Sequence, residues 1–334
     1  MQSQSSRTNQ GQTHGRDRSA TGRRAVGLAA AVAILMALIA ASALAASRPT
    51  LATGAAKEVS YASAVLTGTV NPSAADTSYY FQYGPTRAYG SQTGIADAGS
   101  GATRVSVRLA VTGLQPITVY HYRLVAVNAS GATLGSDRTL LTSRIPLSLA
   151  ILASPNPVVF ASPIVIQGTL SGTGNGGRQV VLQGNAFPFT AGFLNVGNPE
   201  LTTATGGFTF NLLDATLVTQ FRVITTTKPA IVSPVVSENV AVRVTSHIAK
   251  TRHMGYVRIY GTVTPAENGA QVGMLRIVRG RGVLAGGTIL KANGNATSSR
   301  FSRVVHVHKG VYRVLVRVLN AGQVSNYGTP LLIR

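Results

Sequence analysis

Beyond residue 50 the chain alternates apolar and polar positions with period two, the pattern of strands that bury one face. Ala64-Val65-Leu66-Thr67-Gly68-Thr69-Val70 places Ala64, Leu66, Gly68 and Val70 on one side. Asn71-Pro72 ends that run, because proline cannot donate to a strand ladder. Further runs follow at Ser78–Gly84, Arg104–Val111 and Leu114–Asn128. The scheme recurs at Ile164–Leu170, Gln179–Gln183, Gly206–Leu212 and Phe221–Ile224. It appears a third time at Val257–Val263, Gln271–Val278, Phe301–Val307 and Tyr312–Val318. Gly-Thr-aliphatic closes the opening strand each time, at Gly68-Thr69-Val70, Gly168-Thr169-Leu170 and Gly261-Thr262-Val263. An aromatic residue opens a later strand 52, 53 and 51 residues on, at Tyr120, Phe221 and Tyr312. The three glycines stand 100 and 93 residues apart, and self-similarity at that period predicts a string of similar units, each large enough for its own core. The expected architecture is all-β: three tandem antiparallel sandwiches over 47–143, 144–245 and 246–334.

In the first module, Leu114-Gln-Pro116-Ile-Thr118-Val-Tyr120 leads into a strand ending Ala126-Val-Asn128, with Ser130-Gly131 after it. This resembles the fibronectin type III family over residues ~53–143. The resemblance implies that Tyr120 makes the tyrosine corner, its hydroxyl bonding back to nearby backbone. Tyr312 takes the equivalent place in the third module, whereas Phe221 has no hydroxyl to offer. The family's buried tryptophan is absent, since the chain has no Trp, and Tyr79, Phe81 or Tyr83 is expected to fill its space. The second and third modules are more loosely similar to bacterial immunoglobulin-like and fibronectin-like repeats of exported proteins.

Residues 1–46 stand apart. Arg7, Arg16, Arg18, Arg23 and Arg24 precede an uncharged apolar stretch, Ala25–Ala46, that holds Ala43-Leu44-Ala45. A basic flank, an apolar core and a small-x-small ending read as an export signal, with Ala43 and Ala45 the small residues that mark its cleavage site. The stretch also has the length of a membrane-crossing helix, so an uncleaved anchor with its basic side in the cytoplasm stays open. Both readings put the remainder outside the cytoplasm, in the extracellular space or at the cell surface.

The chain has no Cys, which excludes disulfides, thiolate metal sites and a cysteine nucleophile. Catalysis has little material. The exported part holds eight dispersed acids and no Gly-x-Ser-x-Gly elbow, against the paired carboxylates or poised serine that hydrolysis requires. No enzyme activity and no cofactor are expected. His306 and His308 share a strand face, but only His253 and Glu267 are at hand to complete a metal set, so no metal site is assigned. The glycine run Gly172–Gly177 leads into a strand rather than a helix, which favours a hairpin turn over a phosphate cradle. Phe187, Phe189 and Phe193 read as caps on one end of a core, with an exposed partner patch as the alternative. Asn128-Ala-Ser130 and Asn295-Ala-Thr297 fit the glycan-acceptor pattern, which arises often by chance.

Net charge is +21, and its distribution carries the functional expectation. Residues 246–334 hold thirteen Lys and Arg against the single acid Glu267, or +12. Alternation points Arg313 and Arg317 away from Tyr312 and its valines, and puts Arg258 on the face of Tyr256 and Tyr260. Arg276, Arg303 and Lys309 add to the field, as do Arg279, Arg281 and Arg300. Arg258, Arg276, Arg303, Lys309, Arg313 and Arg317 are therefore the candidate polyanion-binding residues. The expected role is a non-enzymatic cell-envelope protein whose modules act as spacers and interaction surfaces. Its basic module would dock on an anionic envelope polymer, a lipid surface or another envelope protein. Nucleic acid is the less expected partner outside the cell. The alternative is a secreted accessory module of polysaccharide binding or degradation, using Tyr79, Tyr80 and Tyr83.

Overall fold

The computed structural model describes residues 47–334, so the export or anchor segment, with Ala43 and Ala45, lies outside the described residues. The described residues are all-β and fall into two compact units that divide between Ser143 and Arg144.

In the first unit, Thr50–Thr53, Ser63–Asn71 and Val105–Thr112 form one antiparallel sheet. Thr77–Gly84 and Val119–Asn128 form the centre of the facing sheet, edged by short strands. Ser63–Asn71 alternates strictly between buried and half-buried, as a period-two pattern over a core requires. Ala64, Leu66, Val70, Tyr79, Phe81, Tyr122 and Leu124 meet between the sheets. Phe81 and Tyr79 occupy the core alongside fully buried Tyr122, whose hydroxyl donates to Gly54 O at 2.8 Å.

The second unit contains two sandwiches with separate cores. In the first, Ser148–Ser154, Ser162–Ser171 and Gly207–Ala215 face a sheet centred on Gln179–Ala186 and Thr219–Thr225. In the other, Arg243–Lys250, Tyr256–Thr264 and Ser299–His306 face a sheet centred on Gln271–Val278 and Gly310–Arg317. Val240 belongs to one core, whereas Val242 and Val244 belong to the next. The third sandwich thus begins near 242, a few residues before the expected boundary at 245/246, because these alternating valines face its core.

The recurring glycines have one structural cause. Each lies on the strand that pairs with the first strand of its sandwich, where a Cβ would run into that neighbour. Gly68 lies against Ala52 O, Gly168 against Ala150 O, and Gly261 against Thr245 O. From the other side press Leu124, Phe208 and Phe301. Only a residue without a side chain fits between carbonyl and core at this position.

The glycine-rich stretch Gly172–Gly177 is not a hairpin. It joins Ser162–Ser171 to Gln179–Ala186, which lie in opposite sheets. Asn175 Nδ2 donates to Leu170 O and Thr205 O, fixing this crossover. The two sandwiches of the second unit are tied by backbone. Val324 N–H donates to Val240 O at 2.7 Å, Val242 N–H to Val324 O at 3.2 Å, and Val218 N–H to Gly322 O at 2.9 Å. Arg243 adds guanidinium bonds to Phe160 O and Ala161 O. These contacts fall at the end of the third sandwich that carries the loops 265–270 and 318–325, so its other end is distal to the junction.

Candidate anion-docking pole

The strand registers gather the charge of the third sandwich at its distal end. Lys250 pairs with Val257, Tyr256 with His306, Val278 with Arg281, and Gly310 with Ile333. The 251–255 turn, the 278–281 turn, the 307–309 turn and the chain's last residues therefore share one pole. Lys250, Arg252, Arg279, Arg281, Lys309 and Arg334 lie in or beside these turns, all exposed. Arg276 joins them, its Nη2 donating to Lys309 O at 3.0 Å. The bond orients that guanidinium and holds the 307–309 turn against the neighbouring strand. His253, His306 and His308 lie in the same region, with the His306 and His308 rings 5.1 Å apart edge to face. Glu267, the only acid after residue 245, sits at the opposite end. There it is 7% exposed and its carboxylate accepts from Asn320 Nδ2 at 2.7 and 2.8 Å. It neither neutralises the pole nor approaches the histidines, and no group of metal-ligating residues forms among the described residues.

The six candidate residues do not share one surface. Arg276 and Lys309 belong to the pole. Arg258 and Arg303 lie on adjacent strands a few rungs from it, Arg258 paired with Val304 and Arg303 with Ile259. Arg258 also stacks on Tyr260, 5.2 Å from the ring centroid. Arg313 lies in the facing sheet with its guanidinium 4.7 Å from the Tyr327 ring centroid, and its Nε is buried without a partner. Arg317 pairs with Gln271, at the junction end. The expectation of a basic sheet face thus gives way to a basic pole. Alternation identifies the face a side chain takes but not the end of the sandwich at which its strand stops. Lys250, Arg252 and Arg334 escaped the sequence reading for that reason.

Both tyrosine-corner candidates bond to backbone. Tyr120 Oη accepts from Gln115 N–H at 3.0 Å, and Tyr312 Oη accepts from His308 N–H at 3.0 Å. Phe221 occupies the matching strand position with its ring 4% exposed and no hydroxyl. At the pole, Tyr312 has a second consequence: its bond pins the turn that carries Lys309.

The tyrosines proposed for sugar binding do not form a platform. Tyr79 is core, Tyr83 packs against the same core, and Tyr80 points to the other face of the strand. The three phenylalanines share one segment, with Phe187 and Phe193 half-buried. Phe187 and Phe189 meet edge to face at 5.7 Å, Phe189 is 37% exposed, and Phe193 lies 4.1 Å beneath the Arg222 guanidinium. Asn128 is buried and donates to Ser47 O and Pro72 O, a tethering role.

The first unit holds a polar cluster with no counterpart in the sequence reading. Asp137 Oδ1 accepts from Tyr89 Oη at 3.0 Å, and Asp137 Oδ2 lies 2.8 Å from His121 Nδ1. Arg87 Nε is 3.4 Å from the same carboxylate. Burial works to raise the Asp137 carboxyl, but the bonds from His121 and Tyr89 and the nearby Arg87 charge outweigh it and hold it below its usual value. The Tyr89 hydroxyl is raised, by burial first and by its bond to Asp137 second. The cluster ties the loop of Arg87 and Tyr89 and the loop of Asp137 to the strand Val119–Asn128.

Neither a protein-family model nor a curated protein matches the chain. Solved structures similar to it share little sequence. Domains FN1–FN3 of chicken CNTN1 are 12% identical over 86% of this chain and 97% of theirs, with a TM-score of 0.27. A multidomain stretch of titin is 13% identical over 85% of this chain and 98% of its own length, with a TM-score of 0.35. The sensor domain of the anti-sigma factor RsgI4 of Pseudobacteroides cellulosolvens is 19% identical over 28% and 89%, with a TM-score of 0.21. By strand order, the sandwiches are of the fibronectin type III and immunoglobulin-like kind.

Proposed function

We propose that this is a non-enzymatic, exported envelope protein whose distal basic pole docks on an anionic polymer or lipid surface. The observation that supports it is the gathering of Lys250, Arg252, Arg276, Arg279, Arg281, Lys309 and Arg334 at one end, with the nearest acid at the other. Like charges held together without local neutralisation cost stability through self-repulsion, and an anionic partner relieves that cost. Their place at the opposite end from the junction keeps the second sandwich clear of the pole. Exposed cations attract at long range and release counterions on contact, so binding weakens steeply as salt rises.

The test is co-sedimentation of the full chain with isolated cell envelopes over a salt series. Binding at low salt that fades by ~0.5 M salt, and that Arg279→Glu with Arg281→Glu removes, supports the reading. Binding that ignores both salt and the charge reversals contradicts it.

A further inference from the structure

The second sandwich holds a cavity that the docking role leaves unused. It measures about 800 Å³ and opens at the junction end of the sandwich, beneath the segment that carries Phe187 and Pro188. Ile164, Phe187, Leu194, Leu212, Leu213 and Leu217 make it predominantly apolar. Its rim is exposed: Leu213 is 78%, Leu194 62% and Leu217 37% accessible to solvent. Cavities of this size and lining accept small molecules.

Its polar groups are unusual for this protein. Glu238 lines the cavity and is only 1% exposed. Glu238 Oε1 accepts from Val158 N–H at 3.2 Å, an N–H it shares with Asn239 O at 2.9 Å. Glu238 Oε2 is buried with no partner. A buried carboxyl oxygen without a donor is costly, and such groups call for an explanation. Asp214 also lines the cavity, and no Lys or Arg does. In a chain with thirty Lys and Arg against nine acids, a cavity lined by two acids and no base is selective for cations.

We infer that this cavity binds an apolar primary amine, its alkyl or aryl body among the leucines and its ammonium on Glu238 Oε2. The ammonium donates to the unpartnered oxygen and neutralises a carboxylate that the protein leaves without a counter-ion. Asp214 attracts the same charge at the mouth. A carboxylate ligand meets two like charges, while an alcohol of the same length satisfies the bond without the charge.

The test is calorimetric titration of the full chain at pH 8 with octylammonium, octanol and octanoate. The expected result is saturable one-to-one binding of octylammonium, at least tenfold tighter than octanol, with no binding of octanoate. Glu238→Gln preserves size and lowers octylammonium affinity at least tenfold while sparing octanol. Leu213→Lys, at an exposed rim position that leaves the core untouched, weakens octylammonium with Glu238 intact. The inference is overturned if octylammonium fails to saturate, if octanol or octanoate binds as tightly, or if Glu238→Gln leaves amine affinity unchanged.

Discussion

Replacing Glu238 by Gln isolates the cost of a buried charge. Burial pushes the Glu238 carboxyl up from 4.5 to about 7, and the bond from Val158 N–H offsets this only in part. The folded protein therefore binds this proton more tightly than the unfolded chain does. The penalty is absent below about pH 4.5, grows as pH rises from there to 7, and is complete above 7. A difference of about 2.5 pKa units at 1.36 kcal/mol each amounts to about 3 kcal/mol. Glutamine keeps the shape and cannot ionise, so wild type and Glu238→Gln unfold alike near pH 4. Above pH 7 the variant is the more stable by about 3 kcal/mol, roughly 6–12 °C in melting temperature for a unit of this size. Thermal unfolding of both proteins at intervals from pH 4 to 8 measures the divergence, and Asp137 cancels because both proteins carry it. Parallel curves, or a variant that loses stability relative to wild type as pH rises, would mean that the Glu238 carboxyl is not raised by burial.

Three further outcomes follow from the packing. Gly261→Ala drives a Cβ into Thr245 O and the Phe301 ring and destabilises the second unit by about 1–3 kcal/mol, read from its melting transition. Tyr120→Phe leaves Gln115 N–H without its acceptor and costs the first unit about 1 kcal/mol in denaturant unfolding; Tyr312→Phe does the same to the second unit. The lowered Asp137 carboxyl gives stability that is present above its unfolded value of 3.8 and is lost as pH falls through the lower folded value. Asp137→Asn therefore flattens the acid-side slope of first-unit stability in melts from pH 2 to 5.

What the sequence discloses and what it hides follow from range. Strands are local: alternation from Ala64 to Val70 or from Tyr312 to Val318 states which residues face inward. The repeated glycine is equally visible, because in every sandwich it lies under a carbonyl of the first strand. Tyr120 and Gln115 lie five residues apart, so that bond too leaves a local motif. Other features join residues distant in sequence. Asp137 reaches Tyr89 across forty-eight positions, and Arg276 reaches Lys309 O across thirty-three. Glu238 meets Val158 across eighty. No local pattern signals these partners. Pattern also misleads where it treats a face as a site, for Arg317 points outward yet lies at the junction end, away from the pole. The crossover at Gly172–Gly177 fails for a related reason: a turn between two strands looks the same whether they pair or pass to opposite sheets.

The most direct test of the docking pole holds net charge fixed and moves its location. One variant carries Arg252→Glu, Arg279→Glu and Arg281→Glu at the distal end; the other carries Lys291→Glu, Arg300→Glu and Arg317→Glu nearer the junction. Each changes the chain by the same six charge units, and each is compared with wild type for envelope binding at low salt. The distal variant is expected to lose binding by at least tenfold while the junction variant retains most of it. Equal losses in both would show that total charge, and not the pole, governs attraction.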